Sequence, residues 1–129
     1  MSIKDRKVYL PNGTRINYDT LSYQVDAENG GGQWELQLRT GRTKMYGAKM
    51  VENVVQALSR VILSDGMIRL NRAGFRPVLT SHDEVAVLVK QEQAQEAIDF
   101  CLNEMTRTPA WLPELPLAAE YVIGMRYEK

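Results

Sequence analysis

The sequence predicts an α+β protein, an antiparallel sheet centred on one β-hairpin and packed against two helices, with a small β element ahead of them. Three observations carry that prediction. Short apolar and polar alternations bounded by turn residues occupy the first 45 positions. From Tyr46 towards Gly74 apolar residues recur at three- and four-residue steps, the period of an amphipathic helix. Two β-branched runs then flank the polar tripeptide His82-Asp83-Glu84, and a second helical stripe follows.

In chain order, Val8 to Tyr18 reads as two short strands around Asn12-Gly13, a dipeptide that readily takes the positive φ values of a hairpin turn. Leu21 to Val25 reads as a third strand, and Asp26 to Gly32, ending in three glycines, as a turn cluster. Gln33 to Arg39 alternates with the period of a half-buried strand. Met50, Val51, Val54, Val55, Leu58, Val61, Ile62 and Leu63 share one helical stripe. Gly74 supplies the stop, and Gly66 is a weak point inside the helix. Phe75 to Val89 is the hairpin, with the tripeptide at or beside its turn. Gln91 to Thr106 is the second helix, striped by Ala94, Ala97, Ile98, Cys101, Leu102 and Met105 and ended by Pro109. A Pro-broken connection, Trp111 to Pro116, leads to a last strand over Leu117 to Val122 and a basic-aromatic tail, Arg126-Tyr127.

The 129 residues are the length of one domain, able to bury a core without disulfides or metal staples. A single cysteine, Cys101, excludes an intrachain disulfide and a cysteine-based zinc site. No apolar run reaches bilayer length, the N-terminus lacks a secretory h-region, and a cytoplasmic setting is the expectation. The formal net charge is zero, unlike a free-standing basic nucleic-acid binder. That zero is segregated. Residues 1–76 hold twelve basic and seven acidic groups, whereas residues 77–129 hold four basic and nine acidic ones. Such a division marks either a basic face beside an acidic site or simply a solvated acidic helix.

His82-Asp83-Glu84 is the sharpest chemical feature. Adjacent carboxylates repel, and hard oxygen donors of this kind suit Mg²⁺ or Mn²⁺. Taken alone, a polar tripeptide in a turn has the simpler explanation of solvation. His82 is the only histidine, which rules out a multi-histidine zinc site. Ser81 is poorly placed to be its nucleophile, because neighbouring side chains on an extended strand point oppositely. Gly30 to Gly32 lack phosphate-loop spacing, Cys101 sits on an apolar stripe, and Trp34 and Trp111 read as packing residues.

The order of the pieces says more than any one of them. The helix Tyr46-Gly47-Ala48-Lys49-Met50-Val51-Glu52-Asn53-Val54-Val55-Gln56-Ala57 is followed by Val78-Leu79-Thr80-Ser81-His82-Asp83-Glu84-Val85. A helix and Trp111-Leu112-Pro113-Glu114-Leu115-Pro116-Leu117-Ala118-Ala119-Glu120 complete it. This resembles the C-terminal end of the palm in family A DNA polymerases, relatives of bacterial DNA polymerase I, and especially their bacteriophage and prophage members. The resemblance runs from about Val8 to Lys129. It implies that Asp83 is the motif C aspartate of a two-Mg²⁺ site, with Mn²⁺ able to substitute, and that Glu84 is the neighbouring acidic residue auxiliary to that site. It implies that His82 approaches the primer terminus and that Gln56 contacts the minor groove near the growing end. Asn53 and Lys49, one and two turns earlier on the same helix, are expected near DNA. Related sequences often carry an aspartate where this chain has Val61.

The implied partners are primer-template DNA and a deoxynucleoside triphosphate. The family's motif A carboxylate and its fingers helix precede the matched region, so the expectation is a piece that is inactive alone: a subunit of a split polymerase, a remnant, or an isolated fragment. A partner chain carrying motif A and the fingers would complete it. Apolar surface left for that partner opens the chain to self-association. The competing reading is a non-catalytic palm remnant that binds nucleic acid or a protein, and the least favoured is an independent metal hydrolase using Asp83 and Glu84.

Overall fold

The computed structural model describes residues 1–25 and 30–127. Among them the elements run β1 (Ser2–Lys4), β2 (Lys7–Tyr9), β3 (Arg15–Asn17), β4 (Leu21–Val25), β5 (Gly32–Leu38), β6 (Gly41–Met45), α1 (Gly47–Arg72), β7 (Pro77–Ser81), β8 (Glu84–Val87) and α2 (Ala94–Met105). The class is α+β. The sheet predicted around the hairpin is β7-β8 alone, and the predicted N-terminal β element is two sheets. The strands form three separate antiparallel sheets, β1-β2-β3, β4-β5-β6 and β7-β8. The chain divides into two compact units, Met1–Ser59 and Arg60–Lys129, with α1 running from the first into the second.

The first unit is built from short hairpins. Asn12 Oδ1 accepts from the Thr14 amide at 3.1 Å and from its hydroxyl at 2.7 Å, and Gly13 takes φ +83°. This Asx arrangement closes the β2–β3 loop. In the second sheet Tyr23, Trp34 and Met45 stand side by side across three strands, and Leu21, Leu36 and Thr43 form the next row. One face is therefore apolar and the other carries Ser22, Gln33, Glu35 and Lys44. Tyr23 packs edge-on to Trp34 with ring centroids 5.5 Å apart. The Tyr23 ring also covers Gly32 so closely that a Cβ there would lie 2.6 Å from it. Val8, Leu10, Tyr18, Leu36 and Met45 are the buried apolar residues of this unit. Two strands escape the sequence pattern: β1, reached through Asp5 and Arg6 at φ 50° and 58°, and β6, whose only large apolar residue is Met45. Of the predicted turn cluster at Asp26 to Gly32, positions 26–29 lie outside the described residues.

In the second unit α1 stops as its sequence predicts. Gly74 adopts φ +93°, the Phe75 amide donates to Leu70 O at 3.0 Å, and the Gly74 amide donates to Asn71 O at 3.2 Å. Those two bonds form a Schellman cap. Val61, Leu63 and Leu70 from α1 and Ala97 from α2 are buried. Gly66, read from sequence as a weak point, is buried where Met105 of α2 comes close, its Sδ 2.9 Å from where a Cβ would stand. Arg69 Nε donates to Glu104 Oε2 at 2.6 Å and its second terminal nitrogen donates to Glu104 O at 2.7 Å, fastening α1 to α2. Phe75 and Phe100 add a ring pair at 5.1 Å. Cys101 is half-buried, and burial pushes its thiol pKa up, in keeping with an inert packing residue.

The predicted last strand is absent. Leu117 to Val122 is irregular, with Val122 95% exposed. An apolar run becomes a strand only against a partner, and β7 and β8 pair with each other alone. Among the described residues no helix is long and apolar enough to cross a membrane.

Candidate functional site

The hairpin tip follows from its register. Thr80 opposes Val85 and Ser81 opposes Glu84, leaving His82-Asp83 as a two-residue turn. Val78 is an extra residue in β7, where the register shifts between Pro77 and Leu79. Only the first turn residue, His82, has positive φ, at 53°. That position ordinarily belongs to glycine in two-residue hairpins. A left-handed non-glycine residue costs about 1 kcal/mol. His82→Gly is therefore expected to raise the stability of the second unit by up to about 1 kcal/mol in urea titration, less glycine's own entropic cost. A midpoint below that of the wild type would show that the imidazole itself holds the turn.

His82, Asp83 and Glu84 are all exposed. Water therefore solvates the two carboxylates, which eases their mutual repulsion. Asp83 makes no hydrogen bond or ion pair among the described residues. Glu84 Oε2 accepts a 2.7 Å hydrogen bond from the Tyr127 hydroxyl. Among the described residues no group of three or more His, Cys, Asp and Glu side chains gathers to hold a metal ion. Two exposed, hydrated carboxylates fit a hard divalent cation as part of a donor set, not as the whole of one.

The other predicted residues lie on α1, in the first unit, and are described by themselves. Lys49 Nζ stands 2.8 Å from Glu52 Oε2, and Gln56 Nε2 donates to Glu52 Oε1 at 3.1 Å. The hydrogen bond to Glu52, helped by its charge, holds the Lys49 pKa above the usual lysine value. One carboxylate thus engages both candidates. Sequence reading missed Glu52, although its spacing to Lys49 and Gln56 is the ordinary signature of neighbours on a helix. Asn53 is drawn inward, its Nδ2 donating at 3.2 Å to the buried Tyr18 hydroxyl, so part of its role is to pin α1 to the loop after β3. Tyr127 was missed as well, and no local signal marks a contact across 43 positions.

No family model matches the chain. No solved structure matches it either. Over 135 aligned residues, 95% of this chain, it is 31% identical to a protein of Bacillus phage SP02 described as a DNA polymerase. The chain spans 19% of that protein's length, so what it is similar to is one segment of a phage DNA polymerase.

Proposed function

We propose that the chain is the C-terminal palm segment of a family A DNA polymerase, supplying the motif C carboxylates of a two-metal nucleotidyl transfer site. The observation that carries this reading is the similarity to a phage DNA polymerase along 95% of the chain. It is supported by an acidic pair at the hairpin tip, Asp83 in the two-residue turn and Glu84 at the start of β8. Asp83 is the metal ligand and Glu84 its auxiliary. His82 faces the primer end, and Gln56, Asn53 and Lys49 lie along the DNA. Mg²⁺, when bound, would supply the Lewis acidity that activates a 3′-hydroxyl and steadies the leaving pyrophosphate, and Mn²⁺ has the same hard-oxygen preference. The chain's own part is to hold Asp83 at a short, stiff turn and to keep it free of competing cations. The remaining carboxylate and the nucleotide-binding helix come from a partner chain or from the rest of a longer polymerase.

The test is complementation. The chain is mixed with a polypeptide carrying motif A and the fingers, and primer extension is followed with Mg²⁺ and deoxynucleoside triphosphates. Activity only in the mixture supports the reading, and a mixture as silent as its components sinks it.

The grip of Glu52 on Lys49 and Gln56 favours a second reading, a non-catalytic remnant whose DNA face is largely neutralised. Glu52→Gln separates the two. On the polymerase reading it frees Lys49 for a phosphate, tightening primer-template binding and steepening the slope of log K against log salt by about 0.9. Fluorescence anisotropy at several salt concentrations measures it. An unaltered slope would mean that Lys49 does not track phosphate.

A further inference from the structure

The tail reaches the hairpin tip through Tyr127, which donates its hydroxyl to Glu84 Oε2 at 2.7 Å. Ser81 and Glu84 are the cross-strand pair immediately beneath His82-Asp83. A tyrosine has a single proton to donate. Here that proton goes to the Glu84 carboxylate.

The chemistry of the donor matters. A lysine or arginine at this place would neutralise Glu84 and compete with a metal ion. A phenol orients the carboxylate and leaves its negative charge intact. Glu84 is exposed and its side chain has free rotors, so without a partner it would sample several orientations.

Resting on the polymerase reading above, we propose that Tyr127 is a positioning residue that holds the Glu84 carboxylate in one orientation beside Asp83 for use at a divalent metal site. Removing the outer partner of a metal-binding group weakens metal use by about tenfold or more. The phenol ring need not change to test this, since Tyr127→Phe deletes only the hydroxyl.

Two measurements decide it. In the full chain alone, NMR three-bond couplings report the Glu84 side-chain rotamers. One dominant rotamer is expected in the wild type and averaged rotamers in Tyr127→Phe. Averaging in the wild type, or an unaltered pattern in the variant, overturns the proposal whatever the chain's function. In the complemented mixture, Tyr127→Phe is expected to raise the Mg²⁺ concentration for half-maximal extension about tenfold, with primer-template affinity unchanged, and to add nothing in a Glu84→Gln background. An equal loss in both backgrounds, or an unchanged Mg²⁺ requirement, overturns the metal role of the clamp. If the couplings behave as expected but the mixture extends primers as well with Asp83→Ala, the polymerase reading has failed and the proposed use at a metal site falls with it.

Discussion

Asp83→Ala is expected to reduce primer extension by the complemented polymerase at least about a thousandfold, equivalent to roughly 4 kcal/mol of transition-state stabilisation. The size follows from what the carboxylate does in the proposed role. In that role it is a direct ligand, and Glu84, the other carboxylate at the hairpin tip, has its own auxiliary part to play, held by the Tyr127 hydroxyl. Asp83→Asn should be nearly as damaging, since it preserves shape and removes the charge. The fold gives a control of unusual clarity. Asp83 is exposed and makes no hydrogen bond or ion pair among the described residues. Its replacement should therefore change unfolding free energy by no more than about 0.5 kcal/mol. Single-turnover extension and urea denaturation, run on the same preparation, check both halves. Extension within threefold of wild type would remove Asp83 from the metal site. A large loss of stability would make the lost activity uninformative and contradict the described geometry.

The largest stability effect is expected at Arg69. Its Nε lies 2.6 Å from Glu104 Oε2, and the Glu104 side chain is 11% exposed. Arg107 is the other cation near that carboxylate, at 3.5 Å, and its own side chain is 63% exposed. Arg69→Ala leaves a mostly desolvated carboxylate with two long contacts, Asn103 at 3.4 Å and Arg107 at 3.5 Å, and also strips a bond from Glu104 O. Breaking a buried pair from one side costs about 3–5 kcal/mol, and the partial exposure of Arg69 places the expectation at about 3 kcal/mol. Trp111 lies in the same unit, so its fluorescence in a Trp34→Phe background reports the transition in urea. The double variant Arg69→Met/Glu104→Met should recover most of the loss, because two apolar side chains avoid the stranded charge. A single variant within 0.5 kcal/mol of wild type, or a double variant no better than the single, would show that the pair does not fasten α1 to α2.

What could be read in advance depended on whether the cause was local. α1 was legible because its stripe, its Gly74 stop and its length are all set within one stretch of chain. The β7–β8 hairpin was legible because β-branched runs flank His82-Asp83 at close range. β6 was not, since Arg42, Thr43 and Lys44 hide its alternation and pairing with β5 supplies the order. The Leu117 to Val122 run failed for the opposite reason: it has strand composition and no strand beside it. In the candidate site, the identities of Asp83, Glu84 and Gln56 stood out through their order in the chain. Their partners, Tyr127 for Glu84 and Tyr18 for Asn53, arise from distant contacts that spacing does not encode.

The division of the strands into three small sheets has a consequence for how the chain behaves in concentrated solution. Among the described residues only β2 and β5 have strands on both sides, so six of the eight strands described present an open edge. Most of those edges carry the usual guards against joining another chain. Lys4 stands on β1, Arg15 on β3, Arg42 and Lys44 on β6, Pro77 and a bulge on β7, and Glu84 on β8. β4, Leu21-Ser22-Tyr23-Gln24-Val25, has no charge and no proline, and its Tyr23 and Val25 are exposed. Of the strands at these margins it is the one left unguarded, and it is there that a foreign strand would add on.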